Sequence, residues 1–219
     1  GSNEWPASGN VWTRSLLREA GVALDSISWH LGPVDDPAEP RRPQGPLPAY
    51  CQVIPPDRCL SNLLLDGVLD ALMVPRAPRT FYESGSGVVR LFADYRVVES
   101  EYYRRVGFYP GHHIIGVRRR VYEAYPWVLR SLYDALEQSR LLWQQRRRVW
   151  AECTPWYLAE LEDVSALMGQ DWQPNGVAAN RRMISAFCQE LHAQGLIAQP
   201  LDGTAIFSEF EEVMKHQPF

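Results

Sequence analysis

Two histidines stand side by side at His112 and His113, preceded by Arg104, Arg105, Tyr109, Pro110 and Gly111 and followed by an apolar stretch. Adjacent residues of a strand point to opposite faces, so one imidazole can look into a cleft while the other packs or meets solvent. An imidazole with an unperturbed pKa of about 6.5 is the natural proton donor or acceptor near neutral pH. Taken alone, a histidine of this kind is more often a hydrogen-bonded structural residue. Arginines beside it suit a substrate that carries carboxylates.

A second feature is Ser8-Gly9-Asn10, which opens a segment of helical period. Free amides and the positive end of a helix dipole favour an anion there, although every helix has such an end and the residues alone favour an ordinary N-cap. Two basic runs, Arg118–Arg120 and Arg146–Arg148, each adjoin an amphipathic segment and read as solvated faces or helix-end partners rather than a phosphate site. There is no phosphate loop, no nucleophile elbow, no HExxH and no dinucleotide fingerprint. His112, His113, Asp94 and Glu99 are potential ligands, but no spacing rule supports a metal, and none is expected.

These residues sit in a chain of 219 with 46% hydrophobic and 22% charged residues, the mix of a folded globular protein. A formal charge of −4 argues against a nucleic-acid partner. All the cations but Lys215 are arginine, which reads first as compositional bias and second as a preference for planar carboxylate recognition. Cys51, Cys59, Cys153 and Cys188 are too irregularly spaced for a zinc ribbon or a redox pair, so reduced thiols in a cytoplasmic protein are expected. No apolar stretch approaches the ~20 residues of a membrane span, and Gly1-Ser2-Asn3-Glu4-Trp5 is not a signal sequence. The absence of an initiator Met implies an amino terminus cut, processed or left out.

The elements that would position the chemistry follow an α/β pattern. Ser8 or Asn10 caps an expected helix carrying Trp12, Leu16 and Ala20 on one stripe, ended by Gly21. Ile27, Trp29 and Leu31 alternate with Ser28 and His30 as a half-buried strand. Prolines 33, 37, 40, 43, 46 and 48 impose a long exposed loop over residues 32–48. A short helix over Cys59–Asp66 stops at Gly67, and Val68–Val74 suits a buried parallel strand. Glu99–Arg105 suits a helical turn or two, and His113–Arg118 another strand. Helices follow: one after Pro126 with Leu129, Leu132, Leu136 and Trp143; one with Thr154 as cap and Pro155 first, closed by Gly169; and one over Val177–Gln194, closed by Gly195.

Read in series, these segments resemble the 4,5-dihydroxyphthalate decarboxylase family. The run Glu4-Trp5-Pro6-Ala7-Ser8-Gly9-Asn10-Val11-Trp12-Thr13-Arg14 is similar to a family pattern E-Y-Q-x-T-A-x-V-W-x-R, with Pro6, Ser8 and Gly9 standing where the family has Q, T and A. Ile27–Gly32, Gly67–Leu72, Arg90–Asp94 with Glu99 and Tyr102-Tyr103, and Gly107–His113 (against G-I-F-P-I-M-H) continue the match. Arg118-Arg119, Pro126-Trp127-Val128, Ser131-Leu132-Tyr133, Gly169-Gln170-Asp171, Asn180-Arg181 and Gln194-Gly195-Leu196 complete it in family order.

The resemblance implies a type II periplasmic-binding-protein-like α/β fold with two lobes around a cleft and a helical C-terminal part. Residues 1–85 would form one lobe with the proline-rich loop, 86–112 a crossing segment, and 113–219 the returning strand and helical part of the other lobe. It implies that part of the first lobe precedes Gly1. The helices after Leu129 would then pack on that segment, or leave an apolar patch that a homo-oligomer covers.

The activity implied is cofactor-independent decarboxylation of a hydroxyaromatic acid. His113 matches the family histidine and would donate the proton, with His112 as the substitute. Ser8, Gly9 and Asn10 would hold a carboxylate with Arg90, Arg104 or Arg105, and Tyr109 would wall the ring. The expected partner is a small aromatic carboxylate, with neither nucleic acid nor membrane involved. Three rivals share the scaffold: a solute-binding module that does no chemistry, a dehydratase, and a catalytically idle homologue.

Overall fold

The computed structural model describes residues 1–40, 45–111 and 113–215. It divides into two compact units, residues 1–93 with 187–201 and residues 94–186 with 202–219.

In the first unit the leading helix α1 runs Ser8–Glu19 and stops where Gly21 takes φ 79°. Its N-cap is Ala7 in extended conformation with no side-chain cap, so Ser8 and Asn10 are helical residues rather than caps. The amide of Asn10 faces backward instead, donating from Nδ2 to Asn3 Oδ1 at 3.1 Å and to the Glu4 carbonyl at 2.6 Å. The inward face carries Val11 and Trp12 as well as the polar Asn10, Arg14 and Ser15. Ala20, expected on the apolar stripe, is exposed.

Strand β1 (Trp29–Leu31) pairs in parallel with β2 (Cys51–Val53) in the register Trp29↔Cys51, His30↔Gln52 and Leu31↔Val53. Ser2 extends the arrangement through isolated parallel bridges to Leu31 and Met73. Of the expected strand Val68–Val74 only Met73 makes a bridge, while β2 arises where the sequence offered no strand signal. Helix α2 (Leu60–Leu65) ends at Gly67 with φ 70°, as its leucine run and glycine stop predict.

Two apolar clusters hold this unit. One joins Trp5, Leu24, Trp29 and Leu31, with the Trp5 and Trp29 rings edge to face at 5.3 Å. The other joins Ile54, Leu60, Leu63 and Leu69. Gly32 follows β1 so closely against Ile54 that a Cβ would overlap the Ile54 side chain.

The second unit is helical: α3 (Tyr95–Val106), α4 (Arg119–Ala124), α5 (Val128–Glu152), α6 (Tyr157–Met168), the first part of α7 (Val177–Ala193) and α8 (Ser208–Lys215). Helix α5 packs against α4, α6 and α8, and α3 against α6. Glycine in the left-handed region ends α3 at Gly107, where φ is 71°. The helix α6 begins later than expected: Trp156 is the N-cap, with φ 68°, so Thr154 does not cap it.

The expected strand His113–Arg118 does not form, and Ile114 and Ile115 are 71% and 63% exposed. Ile114, Ile115 and Val117 are β-branched and favour an extended backbone, but a strand persists only through ladder partners. Among the described residues, the sheet contains β1 and β2 alone. Apolar side chains of α5 such as Leu141, Leu142 and Trp150 are also exposed. No helix among the described residues is long and apolar enough to cross a membrane.

Candidate functional site

The second unit holds an open hollow of about 920 Å³. Its walls come from the segment after α3, the inner face of α5, the loop before α7 and the first turns of α7. Tyr109 and His113 lie on the first of these, Leu136, Arg140 and Trp143 on the second, and Trp172 and Asn175 on the third.

Each wall has a local cause. Gly107 turns the chain out of α3, and Gly111 lies so close to Met183 of α7 that a Cβ would approach its Cε to 2.7 Å. On α5 the spacing of Leu136, Arg140 and Trp143 places them on one face. The loop over 171–176 is pinned to α7 by Asn180, whose Nδ2 donates to the carbonyls of Pro174 at 2.7 Å and Gly176 at 2.8 Å. Within this frame Tyr109 and Trp172 meet edge to face at 5.0 Å.

The ionic lining is organised around Arg140. Its guanidinium donates to both oxygens of Glu137 and to both oxygens of Asp171. Asn175 adds a donor to Glu137 Oε2 at 2.8 Å, and Gln144 one to Asp171 Oδ1 at 3.1 Å. The bond to Glu137 leads the forces that hold the Arg140 proton more tightly than usual. The reciprocal bond from Arg140 keeps the Glu137 carboxyl below the ordinary carboxylate range, against the opposing effect of burial. The charge of Arg140 is therefore already answered by two carboxylates.

Tyr109 and His113 line the hollow, and the His113 side chain is exposed. His112 lies outside the described residues. Arg104 and Arg105 are not among the lining residues: both are exposed in the last turn of α3, where Arg105 sits over the Tyr102 ring at 5.3 Å. That position suits the negative end of the helix dipole. Ser8, Gly9, Asn10 and Arg90 belong to the first unit, with Arg90 over the Phe81 ring at 4.8 Å.

Sequence reasoning did not single out Arg140, Trp172 or Asn175, and named Asn180 only within the family resemblance. The nearest signals were the Gly169-Gln170-Asp171 and Asn180-Arg181 pairs and the turn-forming Pro174-Asn175-Gly176, which mark a loop but give no direction to its side chains. Among the described residues, no group of three or more His, Cys, Asp or Glu is arranged to hold a metal ion.

No protein-family profile matches the chain. It is 32% identical over 213 residues to a 4,5-dihydroxyphthalate decarboxylase of Comamonas testosteroni, an alignment covering 94% of this chain and 64% of that protein. It is 31% identical over 111 residues to a 4,5-dihydroxyphthalate decarboxylase of Pseudomonas putida, covering 49% of this chain and 43% of that one. The chain thus spans less than two thirds of the length of either relative.

Proposed function

From its homology to the 4,5-dihydroxyphthalate decarboxylases, which supports a place in that family, we propose that this chain decarboxylates a hydroxyaromatic carboxylic acid without a cofactor. The observation that carries the reading is the presence of His113, Tyr109 and Trp172 on one hollow of about 920 Å³. An acid–base side chain beside flat aromatic walls is what such a substrate needs.

In the proposed step, His113 as imidazolium gives its proton to the ring carbon that bears the carboxylate. A ring hydroxyl supplies electron density as the new C–H bond forms. The C–C bond then breaks, its electron pair restores aromaticity, and carbon dioxide leaves. The neutral imidazole takes its next proton from water. Tyr109 and Trp172, which touch each other edge to face, offer the ring one aromatic wall. A type II periplasmic-binding-protein-like architecture belongs to the same reading, and the parallel pairing of β1 and β2 is compatible with it.

The test is mass spectrometry after incubation with a panel of hydroxyaromatic acids, 4,5-dihydroxyphthalate included. Loss of carbon dioxide supports the reading. Loss of water would replace it with a dehydratase, and tight retention of unchanged ligand would replace it with a binding module.

A further inference from the structure

The loop between α6 and α7 carries Trp172, part of the wall of the hollow. Among the described residues, 170–176 donate no main-chain hydrogen bond to another main-chain group, so side chains must hold the loop in place. Besides Asn180 of α7, those side chains come from one face of α5, where Glu137, Arg140 and Gln144 follow at helical spacing. Near the start of the loop, Asp171 accepts from Arg140 and from Gln144 Nε2 at 3.1 Å. Near its end, Asn175 donates to Glu137 Oε2 at 2.8 Å, and that carboxylate is itself held by Arg140. One guanidinium therefore governs both ends of the span 171–175, with Trp172 inside it. Trp172 in turn meets Tyr109, which stands on the segment that carries His113. Because two carboxylates already answer the charge of Arg140, that charge is not free for a ligand.

We propose that Arg140 is a positioning residue: by tying Asp171 directly and Asn175 through Glu137, it sets Trp172 against Tyr109 and so shapes the wall that receives the substrate ring. This deepens the decarboxylase reading and rests on it for the ring that the wall receives. The residue type suits the task. Nε and Nη2 meet Glu137 while Nη1 and Nη2 meet Asp171, so one planar fork serves two carboxylates at once. A lysine offers a point charge on a flexible stem and cannot reproduce both contacts in fixed geometry.

The experiment is fluorine NMR of the fluorotryptophan-labelled chain, as wild type and as Arg140→Lys, Asp171→Asn and Asn175→Ala, with the Trp172 resonance assigned from Trp172→Phe. That resonance is expected to shift or broaden in all three variants. Trp5, Trp12 and Trp29, buried in the first unit, should keep theirs, which certifies that each variant folds. In turnover of a hydroxyaromatic acid, Arg140→Lys should raise KM roughly 3- to 10-fold, the span of a lost aromatic contact, with kcat changed less. Adding Trp172→Ala to Arg140→Lys should bring less than about a twofold further loss, because the arginine acts through that ring. A Trp172 resonance unmoved in Arg140→Lys and Asp171→Asn, or single losses that multiply in the double variant, would overturn the clamp. Movement of Trp172 in the variants, with no release of carbon dioxide by the wild type, would fail the decarboxylase reading and leave the clamp standing.

Discussion

The guanidinium of Arg14, on α1, donates from Nε to Oε1 of Gln194 at 2.8 Å, although 180 residues separate them. The same arginine donates from Nη2 to the Trp5 carbonyl at 2.7 Å and lies over the Trp5 ring at 3.8 Å. Gln194 completes the link by donating to the carbonyl of Val11 at 2.9 Å. Arg14 is 1% exposed, and burial lowers its pKa to about 10. One side chain thus ties the turn before α1 to the end of α7.

Replacing it should expose what the link is worth. Arg14→Met leaves the Trp5 carbonyl and Gln194 without their donor, each such loss costing ~1–3 kcal/mol, partly offset by removal of a buried charge. The expected net destabilisation is about 2 kcal/mol or more, read from the midpoint of urea unfolding. An unchanged midpoint would show that the charge costs as much as its bonds return.

Much of this unit was legible in the sequence because its signals are local. The glycine stops at Gly21 and Gly67 and the Trp29–Leu31 alternation each act within a few residues. The strand β2 was not legible: it is three residues long, follows a proline-rich loop and has the polar Gln52 at its centre. Residues 113–118 failed in the other direction, since β-branched residues give an extended preference but cannot supply a neighbouring strand. The site divides the same way. Tyr109 and His113 were visible by residue type. The meeting of Arg140 with Asp171 depends on how two distant segments pack, and no local pattern carries that.

The ionic cluster of the hollow should make stability pH-dependent. Glu137 has a folded-state pKa below its unfolded value, so its contribution is present above the unfolded carboxylate pKa and lost as pH falls through the folded one. Arg140→Met should cost ~1–2 kcal/mol at pH 7. The gap between wild type and variant should close as pH drops well below 4.3, roughly the unperturbed glutamate value. A gap independent of pH would assign the loss to packing alone.

The thiols should separate by environment. Burial pushes the Cys51 thiol up to about 11, against the pull of Arg14, while Cys59 and Cys188 are buried and Cys153 is exposed. At pH 8 a disulfide reagent should modify Cys153 rapidly and the other three only after unfolding. Fast reaction of Cys51 in the native protein would contradict the packing around Arg14.

Gly32 admits a steric test. Gly32→Ala would press a methyl into Ile54, and overpacking of this kind typically costs ~1–3 kcal/mol. Adding Ile54→Ala should recover part of that loss beyond the sum of the single changes, measured as a double-mutant cycle. Strict additivity would mean that the two side chains do not meet.

The most direct measurement of the proposed chemistry is the rate of carbon dioxide release from a hydroxyaromatic acid by wild type and His113→Ala. A proton donor in the rate-determining step predicts a fall of ~10²–10⁴-fold in kcat with the fold intact. Turnover within a few-fold of wild type would contradict the assignment of His113 as the acid.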